Sequence, residues 1–153
     1  MKRHESIVLL SREHHFGLLF CWKIRQGIKK QVLPERMQSY VKYFWDNHLL
    51  KHFVEEETIL FTASQDDLVS QAIADHRHIR QLVEDTNLGK PVKPEQFKSI
   101  ADALDDHIRF EERVLFPHLE KELPEIKLIE LGNRLQQLHQ APEDDNYVDE
   151  FWV

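Results

Sequence analysis

The 153-residue sequence is short of cysteine, glycine and proline, with one, four and six residues respectively. A lone Cys21 has no partner for an internal disulfide and cannot build a thiolate zinc site or an iron–sulfur cluster, and it is consistent with a reducing, cytoplasmic setting. The longest apolar run, Phe16 to Trp22, covers seven residues with a glycine inside it, far below the roughly 20 needed to span a bilayer. The opening MKRHESIVLLSREHH has a four-residue apolar stretch before charges resume, so no secretory signal is expected there. Basic residues are outnumbered, 20 Lys and Arg against 27 Asp and Glu for a formal charge of −7. That balance argues against nonspecific binding to nucleic acid or to an anionic membrane. Histidine is the residue in excess, at ten.

The few prolines and glycines fall between periodic segments. Pro34, Pro94 and Pro124 each precede a glutamate and open such a segment, as proline does in the first turn of a helix. Gly89 followed by Lys-Pro-Val-Lys-Pro reads as a helix stop and a short connection. Ser64 with Asp67 three residues on resembles a capping pair, which starts a helix near residue 66. Apolar residues between these marks recur at three- and four-residue spacing. The stripes are Ile7, Leu10, His14, Gly17/Leu18, Cys21, Ile24, Ile28; then Met37, Val41, Phe44, His48, His52, Glu55/Glu56, Ile59; then Val69, Ala72, His76, Ile79, Val83; and Phe97, Ile100, Leu104, His107, Glu111, Val114/Leu115, His118. Nothing alternates with period two. The pattern predicts an all-α protein, an antiparallel up-down-up-down four-helix bundle over residues 1–141. Pro117 should stop or kink the fourth helix near Phe116. A short fifth helix follows Pro124, and an acidic, aromatic tail, 142–153, either frays or docks Phe151 and Trp152.

Each predicted core stripe carries a histidine. HFVEEETILF from His52 and HIRFEERVLF from His107 match at the histidine, at both acids and at the Leu-Phe pair with an offset of 55. The chain therefore reads as two halves, each with a lone histidine, His14 or His76, and a His-x-x-x-Glu pair, His52/Glu56 or His107/Glu111. Residues four apart share a helix face. Burying two carboxylates and four imidazoles without partners would cost several kcal/mol per group, and metal coordination satisfies them together. Imidazole and carboxylate without thiolate suit iron, manganese or zinc, and two bridging carboxylates suit a metal pair about 3.5 to 4 Å apart.

These stretches, together with Ser-Arg-Glu-His-His near the start and Asp75-His76 in the third helix, resemble the hemerythrin-like, or HHE cation-binding, domains over residues 5 to about 120. The resemblance implies two non-haem irons held by His52, His76 and His107 plus one first-helix histidine, with Glu56 and Glu111 bridging. His14 lies on the apolar stripe, whereas His15 shares a face with Ser11, Leu18 and Trp22. Both stay candidates, with the stripe favouring His14.

Oxygen carriers of that family have a second histidine four residues along the third helix, where this chain has Arg80. A guanidinium cannot ligate a metal, so an extra coordination position should be open and plain oxygen carriage is in doubt. Around this set, His48 is a nearby donor or substitute ligand, and Glu57 and Glu112 either orient ligand histidines or face solvent. His78 and His118 read as surface or structural residues. No glutamate has a histidine three residues later, which disfavours the other di-metal bundle class. The expected activity is binding of oxygen or nitric oxide in the cytoplasm, without nucleic acid or membrane partners. The alternatives are a di-iron peroxidase or nitric oxide reductase, and a metal sensor working through its tail.

Overall fold

The computed structural model describes residues 3–139 and 145–153. Every regular element among the described residues is helical. Helix α1 is Val8–Lys29. Helix α2, residues 34–63, starts at Pro34 and runs through two π-helical turns, Trp45–Leu49 and Glu56–Leu60, to a final 3₁₀ turn, Phe61–Ala63. Helix α3 is Asp67–Asp85. Helix α4, residues 94–122, starts at Pro94 and contains a π turn at Glu111–Leu115. Helix α5 is Glu125–Leu138. No helix among the described residues is long and apolar enough to cross a membrane.

The π turns follow from the sequence spacing. Phe44, His48, His52, Glu56 and Leu60 are all buried at steps of four, and in an α-helix each step of four overshoots a turn by about 40°. A wider π turn absorbs that drift and keeps the stripe on one face. The same device holds His107, Glu111, Leu115 and Leu119 in line in α4.

Three local expectations are corrected. The cap of α3 is Asp66, whose carboxylate accepts from the Leu68 amide at 2.8 Å, while Ser64 accepts from the Asp66 amide at 3.1 Å. Helix α3 ends at Asp85, and Gly89 (φ 73°) turns within the connection that follows. Pro117 does not stop α4, which continues to Glu122. It follows the π turn directly, and the Glu112 carbonyl there accepts from the Arg3 guanidinium at 2.9 Å. That bond compensates for part of the disrupted helical ladder.

The core has two apolar clusters. One gathers Phe20, Cys21, Ile24, Tyr40, Phe44, Phe53, Ile79, Phe97, Leu104 and Ile108 with Phe151 of the tail. The other gathers Leu10, Ile59, Leu60, Ala72, Leu115 and Phe116 with Leu128, Leu131 and Leu135 of α5. Along the four long helices one cluster gives way to the other at His14, Glu56, His76 and Glu111, in opposite chain directions on successive helices. The expected boundary between bundle and tail, at 141/142, lies outside the described residues. The described part of the tail docks: Phe151 is 3% exposed, the Tyr40 hydroxyl donates to Asp145 at 2.5 Å, and Lys23 pairs with Asp145 at 2.9 Å.

Candidate metal centre

Between the two apolar clusters the helices bury His14, His52, Glu56, His76, His107 and Glu111, both glutamates at 0% exposure. His14 comes from α1, His52 and Glu56 from α2, His76 from α3, and His107 and Glu111 from α4. The π turns of the two repeats begin at the two glutamates themselves, Glu56 and Glu111.

Each glutamate touches one imidazole from each of two sets. Glu56 lies 3.4 Å from His52 Nε2 through Oε2 and 3.1 Å from His76 Nε2 through Oε1. Glu111 Oε1 lies 3.0 Å from His14 Nε2 and 3.3 Å from His107 Nε2. Ligand atoms of His14, His52, Glu56 and Glu111 come within 4.8 Å of one another, and so do those of Glu56, His76, His107 and Glu111. The site is thus two overlapping four-residue groups that share both carboxylates.

The outer nitrogens are as ordered as the inner ones. His14 Nδ1 lies 2.9 Å from Glu112, His52 Nδ1 3.1 Å from Glu13, His76 Nδ1 2.8 Å from Glu57, and His107 Nδ1 3.0 Å from Asp75. A carboxylate only accepts, so each Nδ1 carries a proton and each Nε2 is the nitrogen turned inward, free to ligate once it gives up any proton of its own. This arrangement of carboxylate behind imidazole fixes tautomer and ring orientation for a metal. Glu57 and Glu112 therefore hold ring nitrogens rather than simply facing solvent. Glu13 and Asp75, the residues preceding His14 and His76, were missed as supports by sequence reasoning. Their matched Asp/Glu-His pairing in the two halves was the signal.

The electrostatics favour added positive charge. Burial is the largest influence on His14, His52 and His107 and opposes their charged forms, but the carboxylates outweigh it. Glu111 and Glu112 raise His14, Glu56 and Glu13 hold His52 well above the usual imidazole range, and Glu111 with Asp75 raises His107 to about 10. Burial likewise opposes ionisation of Glu111, yet His107 and His14 hold its carboxyl well below the ordinary range. His52 Nε2, both Glu56 oxygens and Glu111 Oε2 are buried and make no hydrogen bond. Such orphaned buried atoms are costly unless a shared cation satisfies them, and six nitrogen and oxygen donors without sulfur suit a transition metal.

The other sequence candidates stand elsewhere. His15 is exposed, its ring nearest that of Phe16, and joins neither group. The structure thus brings His14 rather than His15 to the site, because the adjacent position turns about 100° around the helix. His48 is buried with its ring stacked on Phe44 and Phe16 and also joins neither group. His78 is exposed, and His118 pairs with Asp66 at 2.9 Å. Arg80 points away from the centre, 3.6 Å from Glu84 and over the Trp45 ring. Cys21 is buried, donates to the Ala101 carbonyl at 3.3 Å, and has its thiol pushed up to about 12 by burial. That removes it from redox chemistry.

A sequence model described as the hemerythrin HHE cation binding domain matches residues 7–119. The chain belongs to the hemerythrin HHE cation-binding family. The match spans all four helices that supply the site and stops before α5 and the tail. No curated protein and no solved structure matches the chain. This hemerythrin-like chain therefore has a buried His/Glu cluster suited to a metal on a family scaffold, and α5 and the tail follow the matched residues.

Proposed function

We propose that the chain is a cytoplasmic non-haem di-iron protein that binds oxygen or nitric oxide at a carboxylate-bridged metal pair. His14 and His52 would hold one iron and His76 and His107 the other, with Glu56 and Glu111 shared. The observation that carries this reading is the double sharing: each buried carboxylate faces one histidine of each set. Manganese or zinc would fit the same donors. The alternation of the four helices between the two apolar clusters supports an antiparallel up-down-up-down bundle around the pair. The lone buried thiol is consistent with the cytoplasm.

A cavity of about 20 Å³, room for roughly one water-sized molecule, is lined by His14, His52 and His107 and otherwise mainly by apolar residues, among them Phe16, Phe44, Phe53, Leu104 and Ile108. It admits a diatomic and little more. The iron pair would supply electrons and an open coordination position for such a ligand. The protein's part is to orient the four imidazoles through their outer carboxylates and to surround the ligand with apolar walls. With Arg80 where the carriers have a further histidine, each set has two histidines.

Metal analysis of natively purified protein, with absorption spectra before and after dithionite, tests the reading. The expected result is about two irons per chain and a spectrum that changes on reduction and returns with oxygen. Zinc alone, or fewer than about 1.5 metals per chain at saturation, overturns it. His107→Ala and Glu111→Ala should each remove at least about half the metal, whereas His15→Ala and His78→Ala leave it unchanged. Rapid peroxide consumption with irreversible oxidation would identify the enzyme instead.

A further inference from the structure

Three of the outer carboxylates have supports of their own. Glu112 accepts from the Ser11 hydroxyl at 2.8 and 2.9 Å, and Asp75 accepts from the Gln71 amide, four residues earlier on α3, at 2.9 Å. Glu13 is the counterpart of Asp75 in the first half: 13 and 75 are 62 apart, as are His14 and His76. The counterpart of Gln71 at the same offset is Leu9, which offers no hydrogen bond. The oxygen of Glu13 that His52 does not use faces α5 instead, 3.9 Å from His139 Nε2. His139 is anchored from its other side, with Nδ1 2.8 Å from Glu55, and its side chain is only 8% exposed. Close packing sets its position. A Cβ on Gly132 would sit 2.9 Å from the Ser6 Cα, so α5 can lie this near the residues leading into α1 only with glycine there.

We propose that His139 is a positioning residue for the metal centre, acting through Glu13 on His52 in place of the support that Gln71 gives Asp75 on α3. The device lies outside the residues the family model matches, at the C-terminal cap of α5. It rests on the metal reading above. Packed against the second oxygen of Glu13 with its Nε2 3.9 Å away, outside hydrogen-bond reach, the His139 ring blocks that carboxylate from swinging aside and keeps it turned toward His52 Nδ1, and so keeps the inward nitrogen of His52 aimed at its metal. Without it, Glu13 can swing toward solvent and the His52 ring loses its fixed orientation. Outer partners of ligating histidines govern metal affinity in this way.

The test uses the full chain loaded with Co²⁺, following its visible absorption bands and the rate of release to a chelator. His139→Ala should quicken release roughly three- to tenfold and shift the bands, a smaller effect than the roughly 10- to 100-fold of removing a direct outer partner with Glu13→Gln. His139→Gln should recover most of the loss. Adding His139→Ala to Glu13→Gln should change nothing further. Leu9→Gln, which copies the α3 arrangement into α1, should restore slow release to His139→Ala. Unchanged release in His139→Ala, or an equal acceleration in the Glu13→Gln background, would overturn the proposal by leaving His139 only a role in docking α5. Melting of the metal-free variants reads that docking separately. Failure of the unmodified chain to take up Co²⁺ at all would instead defeat the metal reading on which the proposal rests.

Discussion

Four imidazoles, each pinned from behind by a carboxylate from another helix, leave little freedom in the centre, and the single residues around the cavity are as constrained. Gly17 is the clearest case. A Cβ there would come within 2.6 Å of the Ile108 Cδ1 methyl, which lines the same cavity. In a mid-helix position, alanine for glycine gains about 0.5–1 kcal/mol of helix stability, while displacing a flexible methyl costs about 1 kcal/mol or more. The two nearly cancel in the folded protein. The displaced methyl, however, must go somewhere, and a cavity of about 20 Å³ has no spare room for both it and a ligand. Gly17→Ala is therefore expected to leave metal content and melting temperature nearly unchanged while weakening nitric oxide binding to the reduced protein by about tenfold or more, the equivalent of roughly 1.4 kcal/mol of crowding. Stopped-flow titration checks it, and unaltered binding would place the ligand elsewhere.

Among the elements, the long helices were legible because their stripes and proline starts agree: Pro34 and Pro94 open α2 and α4 as expected. The His/Glu clustering was legible from a repeat whose two copies fall on those stripes. The π turns were not read, although runs of four such as 44, 48, 52, 56 and 60 had no other way to stay on one face. Continuation of α4 past Pro117 was missed because its compensation comes from Arg3, more than a hundred residues away in sequence. The supporting roles of Glu13 and His139 depend on packing between helices, which periodicity does not encode. The seat of α5 is one such packing fact and can be tested at Gly132. A side chain there meets the backbone of Ser6, which cannot yield as a side-chain tip can. Gly132→Leu should lower stability by roughly 1–3 kcal/mol, read as a lower melting temperature, and should expose the α5 end to protease. A neutral result would mean that α5 does not pack closely on the residues leading into α1 in solution.

On the scale of the whole molecule, the −7 charge and the buried carboxylates act in the same sense, both favouring protons and cations. The core accordingly gathers groups that draw protons when no metal is bound. His107 is raised from an ordinary 6.5 to about 10, and His52 and His14 are raised as well. An imidazole that holds its proton more tightly folded than unfolded gives stability that is complete below its unfolded pKa and fades as pH rises through the folded one. For His107 that window runs from 6.5 to about 10. Glu111 is lowered from 4.5, so its contribution is present above 4.5 and lost as pH falls through its lower folded value. The metal-free protein should accordingly be at its firmest between about pH 4.5 and 6.5 and should soften on the alkaline side. Metal reverses the trend there, because it needs the inward nitrogens free of protons and replaces the charge they carried. The rise in melting temperature on metal loading should therefore grow steadily from about pH 5 to pH 9, with protons released to buffer as the metal enters. Paired melting curves of metal-free and metal-loaded protein across that range decide it. A metal-free protein that grows more stable from pH 6.5 to 9, or a metal-induced gain indifferent to pH, would show that the histidines are not the groups exchanging protons for metal.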